Sequence, residues 1–444
     1  MKISQFSRSL AAEAEINMKD TFASIDARAR ANTEHVLDCF RSCEVSESYF
    51  TPSTGYGSGD RGRDALDRLA AEIFRAPAAF IRPSLLSGTH TLTVALFGIL
   101  RPGDIMLSVT GSPYDTLTDV LGTSATNAEQ NHSPISSEGS LADFGVKFEK
   151  IELKPDAFNE EQPIDTNAMC DFIREHGEKV KMVYVQRSRG YAFRPALTCS
   201  QIRNAAYLVK KVAQEMGIRK PVFMVDNCYG EFVEETEPCY VHFGAENESP
   251  ADIIAGSLIK NPGGGMADIG GYIAGDEECI RLCGNRLTAP GVGAEIGASL
   301  GQNRNMIKGL FYAPHTVAEA LKTACLTAYV FEKCGFEVSP KWDGIRSDIV
   351  QIVTCGTAKN LLSFCQGIQS ASPIDSFVLP CASEMPGYAD EVVMAAGAFV
   401  GGSSIELSAD GPMRPPFYAY MQGGLTYESS RLAIMSALDK MLRK

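Results

Sequence analysis

A chain of 444 residues exceeds what one hydrophobic core usually serves, so two or three domains are expected. Hydrophobic residues make up 45% and charged residues 21%, the balance of a folded soluble protein. A formal charge of −13 and a pI near 5.1 argue against nucleic acid as a partner, because an acidic surface repels a polyanion.

Residues 1–48 read as a helical arm suited to packing on a partner subunit. Apolar positions recur with helical period through Phe22, Ile25 and Val36, and Pro and Gly are absent from the first 45 residues. Glu13 and Glu15 stand where a signal peptide needs an unbroken apolar core. No apolar stretch reaches the ~18–20 residues of a membrane span, so a cytoplasmic, membrane-free protein is expected. A glycine-rich loop at 51–63 precedes a helix over about 64–74.

From residue 78 strands and helices alternate. The pattern predicts a strand at 79–82, a helix opening at Ser87-Gly88-Thr89-His90, a strand at 104–109 and a helix over 114–121. Residues 123–144, rich in Ser, Asn, Thr and Glu, read as a solvated excursion. Strands follow at 180–186, 222–226 and 253–257, with a helix at 200–216. Such alternation implies an α/β fold with a mainly parallel sheet, whose ligands bind beyond the carboxyl ends of the strands. A smaller α/β unit begins near 306, with helices at 317–333 and 357–366, a strand at 349–353, and strand-like runs at 377–379 and 398–407. The expected organisation is an arm (1–48), a large ligand-binding domain (49–305) and a small C-terminal domain (306–444).

Thirteen cysteines lack any Cys-x-x-Cys pair, and the six histidines stand apart from them. That pattern predicts reduced thiols and no metal site.

The chemistry concentrates around Lys260. An apolar strand ends in Ser257, Lys260 follows, and a glycine cluster comes next. A lysine at the end of a buried strand is poorly hydrated, so its pKa is expected to fall and its neutral amine to become available for a Schiff base. Asp226 ends the preceding strand. An acid and a lysine on successive strands suit pyridoxal 5′-phosphate, where the lysine holds the aldehyde and the acid keeps the pyridine nitrogen protonated. The Ser257-x-x-Lys260 spacing also matches a serine acyltransferase nucleophile, but the Ser-Asp-Asn and Lys-Thr-Gly partners of those enzymes are absent.

Gly88 and Thr89, with Ser87 as an alternative hydroxyl, open a helix whose free N–H groups suit a phosphate dianion. Ser257 offers another hydroxyl. Tyr114, after the 104–109 strand, is placed to stack on the cofactor ring and to move a proton. For a substrate carboxylate the first candidate is Arg414, with Arg187 and Arg189 as alternatives.

Four segments, 55–64, 87–90, 101–117 and 226–265, together with Gln422-Gly-Gly-Leu-Thr, resemble the fold-type I pyridoxal-phosphate enzymes of cysteine and methionine metabolism. Within that group the chain is most similar to the aluminium-resistance, methionine γ-lyase-like (cystathionine β-lyase-like) branch. The resemblance spans nearly the whole chain. It implies a carbon–sulfur lyase that converts a sulfur amino acid to keto acid, ammonia and thiol. Lys260 would be the Schiff-base lysine, Asp226 would face the pyridinium, Tyr114 would stack on the ring, and Gly88, Thr89 and Ser257 would hold the phosphate. It further implies a homodimer, pairing into a homotetramer, in which Tyr56 and Arg61 (or Arg63) reach the neighbour's phosphate. Rival readings are an aminotransferase or aldolase on the same cofactor, and a cofactor-bound protein without turnover.

Overall fold

The computed structural model describes residues 3–56, 59–123, 138–385 and 390–443. The solvated excursion falls mostly outside these residues. The N-terminal arm is two helices, α1 (Gln5–Asn17) and α2 (Lys19–Ser42), broken at Met18. The Ser4 hydroxyl caps α1 by accepting the Ser7 amide at 3.1 Å.

Next comes α3 (Arg61–Phe74), which starts three residues earlier than the sequence pattern suggests, so Arg61 and Arg63 belong to its first turn. The Asp60 side chain supplies the earlier start by capping the Arg63 amide at 3.0 Å. The chain then runs through β1 (Ala78–Arg82), α4 (Gly88–Ile99), β2 (Ile105–Ser108), α5 (Asp115–Leu121), β3 (Lys147–Lys150), α6 (Thr166–His176) and β4 (Val180–Gln186). It continues with α7 (Cys199–Met216), β5 (Val222–Asp226), β6 (Ile253–Ser257), β7 (Gly271–Gly275) and α8 (Glu277–Leu287).

These strands form one seven-stranded sheet in the order β1-β7-β6-β5-β4-β2-β3. β7 runs antiparallel to both neighbours, and the other pairings are parallel. The central strands are buried almost throughout because helices cover both faces, which is why they read as continuous apolar runs. The large domain is therefore the mainly parallel α/β unit expected.

A single 31-residue helix, α9 (Asn303–Lys333), replaces the shorter one expected at 317–333. Beyond it lie β8 (Val338–Ser339), β9 (Gln351–Thr354), α10 (Ala358–Gln369), β10 (Val392–Ala395), β11 (Ser408–Pro412), β12 (Tyr418–Gln422) and α11 (Tyr427–Leu442). The small sheet, β10-β11-β12-β9-β8, is antiparallel.

Two expected strands do not form. The apolar runs at 377–379 and 398–407 are not strands, and Phe377, Val378, Leu379 and Phe399 are exposed. The strand that does form nearby, β11, is Ser-Ala-Asp-Gly-Pro, buried at every position. Tertiary pairing overrides a weak local preference there. The arm also packs on its own chain: Glu15 pairs with Arg431 at 2.6 Å, Asp26 with Lys322 at 2.7 Å, and Tyr329 donates to Glu13 at 2.9 Å.

Candidate active site

Three neighbouring parallel strands end at one place: β4 in Gln186, β5 in Asp226 and β6 in Ser257. Lys260 follows β6 and leads into a tight turn over Asn261–Gly263. A side chain at Gly263 would put its Cβ 1.6 Å from the Leu258 carbonyl oxygen, and one at Gly309 on α9 would meet the Gly263 oxygen at 2.4 Å. Both glycines are therefore needed to seat the lysine turn on α9. Asn261 anchors the turn by donating to the buried Glu231 carbonyl at 2.9 Å.

Beyond the strand ends lies a cavity of about 300 Å³. Lys260, Asp226, Gly88, Thr89, Ser257 and Tyr114 all line it, so six of the residues singled out in the sequence meet there. Lys260 Nζ sits 4.1 Å from the centroid of the Tyr229 ring, an attractive cation–π arrangement. Asp226 is 6% exposed and accepts the Cys228 amide at 3.1 Å and, at 3.4 Å, the Tyr184 hydroxyl. Burial pushes its carboxyl above the usual range, against the pull of the Lys260 charge and the Cys228 hydrogen bond. A buried carboxylate in that state favours any cation brought against it.

The lysine itself departs from expectation. Burial alone drives the amine toward its neutral form, but the surrounding acidic groups Cys228, Tyr229, Asp226 and Glu231 outweigh it, and the pKa rises. Sequence reasoning saw the burial and missed the neighbours.

The phosphate candidates cluster at the start of α4. Gly88 stands against Ser257 and Cys228, 3.5 Å and 3.8 Å from where its Cβ would be. Thr89 exchanges a hydroxyl contact with Thr116 at 2.8 Å. Ser87 is committed elsewhere, since its hydroxyl caps the helix by accepting the His90 amide at 3.1 Å. Tyr114 is fixed by its own N–H, which donates to Gln186 at 2.7 Å, and by an edge contact with Tyr191 at 5.4 Å.

The structure does not bring every candidate to the cavity. Arg187 is fully buried and held by Glu234 at 2.9 Å, Glu237 at 3.0 Å and Asn227 at 2.8 Å. Arg189 is bound to Asp348 at 3.3 Å and to Ser339. Both alternatives for a substrate arginine are thus structural ion pairs. Arg414 lies off the lining, half-exposed and paired with Asp390 at 2.5 Å, close enough to Asp115 and Tyr420 to act on their ionisation. Tyr56 is 89% exposed, and Arg61 is exposed beside the Tyr49 ring. Arg63 is instead buried and spent on the Glu295 carbonyl. That leaves Arg61, not Arg63, as the outward-facing arginine of the pair.

Several lining residues were not site candidates from the sequence: Gln186, Tyr229, Ser403, Asp410, Tyr420 and Gln422, the last marked only by its family-like motif. Gln186 was findable, because it ends its strand as Asp226 does. Asp410, Tyr420 and Gln422 come from the small antiparallel sheet and carry no comparable signal. Among the described residues no cluster of His, Cys, Asp or Glu suits a metal, and no helix is long and apolar enough to cross a membrane.

A lysine and an acid at adjacent strand ends, with a helix N-terminus opposite, fit pyridoxal phosphate. The profile of the methionine γ-lyase family matches residues 7–442. The chain belongs to that family. It is 44% identical to the Bacillus subtilis "Uncharacterized protein YnbB", over 98% of this chain and 96% of the other. A Listeria monocytogenes structure, provisionally designated a cystathionine β-lyase involved in aluminium resistance, is 43% identical. It covers 98% of this chain and 100% of its own, with a TM-score of 0.87. The pyridoxal-5′-phosphate dependent Escherichia coli protein YhfS is only 14% identical. It covers 93% of this chain and 96% of its own at a TM-score of 0.56, which speaks to the fold alone. The fold of the chain is thus fold-type I, and its relatives support a lyase.

Proposed function

We propose that the protein is a pyridoxal-phosphate-dependent carbon–sulfur lyase that cleaves a sulfur amino acid to keto acid, ammonia and thiol. The observation that carries this is the convergence of Lys260, Asp226 and the start of α4 on one cavity in a chain of the methionine γ-lyase family. Bound there, pyridoxal phosphate supplies the aldehyde and the electron-withdrawing ring that no side chain provides. Gly88, Thr89 and Ser257 hold its phosphate, and Asp226 keeps the ring nitrogen protonated. Tyr114 covers the ring and shuttles a proton. Lys260 would carry the cofactor, and its Nζ would take the substrate's α-proton. Arg414 receives a substrate carboxylate at the rim by exchanging its Asp390 partner.

The same reading makes the minimal unit a homodimer, with Tyr56 and Arg61 completing the neighbour's phosphate site, and places the enzyme in the cytoplasm. Two equivalent shared sites are what a two-fold dimer generates. Mixing inactive Lys260→Ala and Arg61→Ala subunits is then expected to restore partial activity. No recovery despite demonstrated subunit exchange rejects the shared site.

The decisive experiment incubates the holoenzyme with cystathionine, methionine or cysteine alone and follows keto acid, ammonia and thiol together. Equal release over many turnovers supports the lyase. Turnover that stops after one equivalent and resumes only with an added keto acid identifies an aminotransferase.

A further inference from the structure

After β5 the chain runs through residues 227–233 as buried turns, with neither helix nor strand to order them. Two of these residues, Tyr229 at φ +69° and Phe232 at φ +61°, occupy the left-handed backbone region. A glycine would sit there freely, whereas a bulky side chain is strained, so the surroundings have to impose the conformation. Such strain gathers where a group must be aimed. Tyr229 is the residue whose ring faces Lys260 Nζ at 4.1 Å.

What imposes it is a row of side-chain donors. Buried carbonyls outside regular structure need hydrogen-bond partners, and four consecutive ones here are served by residues distant in sequence. Asn261, next to Lys260, donates to the Glu231 carbonyl at 2.9 Å. Asn32 Nδ2, on α2, donates to the carbonyls of Phe232 at 3.0 Å and Glu234 at 3.1 Å. Arg28 Nη1 takes the Val233 carbonyl between them at 2.9 Å. Arg28 and Asn32 stand four apart, so they share one face of α2. Asn32 is 5% exposed, and this segment receives its side-chain amide. Earlier on the same helix the contacts go to the small domain instead: Asp26 pairs with Lys322 at 2.7 Å, and Phe22 meets Tyr427 edge-on at 5.3 Å.

Resting on the reading of Lys260 as the cofactor lysine, we propose that Asn32 is a positioning residue for the active site. By clamping the carbonyls of Phe232 and Glu234 it holds the strained segment that sets the Tyr229 ring against Lys260, and Arg28 assists it. The N-terminal arm thereby takes part in shaping a cavity that it does not line.

The test reads cofactor geometry without turnover. Visible circular dichroism of the holoenzyme, taken per bound pyridoxal phosphate, reports how firmly the chiral site orients the ring. Asn32→Ala is expected to lower that signal about twofold or more, because small departures from a held geometry suffice to blur it. Tyr229→Leu removes the ring through which Asn32 acts, so adding Asn32→Ala to it is expected to change nothing further. Asp26→Asn loosens the arm from α9 without touching the segment and should leave the signal intact. If Asn32→Ala does not accumulate as folded protein, Arg28→Ala, which loses one hydrogen bond from a half-buried residue, carries the same test with a smaller fall. A native signal in the variant tested overturns the proposal. A fall that recurs at full size without the Tyr229 ring overturns it too, as does an equal fall in Asp26→Asn, since either assigns Asn32 to the fold alone. If borohydride fixes the cofactor on another lysine, the reading of Lys260 fails and takes this assignment with it. If Lys260 holds the cofactor but no sulfur amino acid is cleaved, the lyase reading fails and the role of Asn32 stands.

Discussion

On the large-sheet side of the cavity, Gln186, Asp226 and Ser257 are the last residues of three adjacent parallel strands. On the small-sheet side, Asp410, Tyr420 and Gln422 come from one face of an antiparallel pair. The first wall follows from topology: parallel strands with right-handed crossovers deliver their carboxyl ends to one edge, whatever separates them in sequence. The second follows from register, where a slip of one residue would turn Asp410 away from the cavity. The large-sheet wall carries Lys260 and Asp226, the residues proposed for cofactor chemistry, and the small-sheet wall adds a second buried acid, Asp410.

Four measurements press on that division. The largest effect is expected from Lys260→Ala, which removes both cofactor attachment and the base, and should lower turnover by about 10⁴-fold. Borohydride reduction of the unaltered holoenzyme should leave a covalent cofactor adduct that maps to Lys260 by mass. An adduct on a different lysine breaks the assignment of the first wall.

Asp226→Ala should keep the fold and the bound cofactor yet lose about 10²–10³-fold in rate, or roughly 3–4 kcal/mol of transition-state stabilisation. Near-normal turnover would show that the buried acid is only structural.

The third measurement reads stability. Glu231 is fully buried behind Lys260, where burial and then the like charge of Glu237 push its carboxyl up to about 8, against the pull of the Tyr272 hydroxyl and Lys260. Tyr272 donates to it at 2.7 Å. The folded protein therefore keeps a proton that the unfolded chain loses near its ordinary value of 4.5. The native state binds more protons across that interval, so this contribution is complete below the unfolded value and is lost as pH rises toward about 8. Denaturant midpoints should fall between pH 5 and pH 8 by the equivalent of about 2–4 kcal/mol from this group. Glu231→Gln should flatten that slope, and an unchanged slope refutes the assignment.

The smallest effect is expected from Tyr114→Phe. The ring remains while the phenol is lost, so kcat should drop by about tenfold with cofactor affinity nearly unchanged. A larger loss of cofactor than of rate would make Tyr114 a holding group with no part in proton transfer.

What could be read in advance follows the same division. Lys260, Asp226, Ser257, Gly88, Thr89 and Tyr114 were legible because apolar runs mark buried strands and the residues just past them are the ones a ligand meets. Arg187 and Arg189 show the limit of that rule. They too follow a strand end, yet their charges are absorbed by Glu234, Glu237 and Asp348, which lie far along the chain. Nothing local marks Asp410 in Ser-Ala-Asp-Gly-Pro, a segment with weak strand preference that is ordered by its partners.

The sequence by itself determined the alternating α/β architecture, and it marked the lysine–acid pair and the glycine-opened helix start that meet at the cavity, because each depends on a short segment and its hydrophobic pattern. Only the tertiary structure decided which arginines are spent on internal ion pairs, which acidic groups surround Lys260, and that Asp410 lines the same cavity. Charge balance and burial are set by residues brought together across hundreds of positions, and a low-dielectric interior magnifies whichever neighbours arrive.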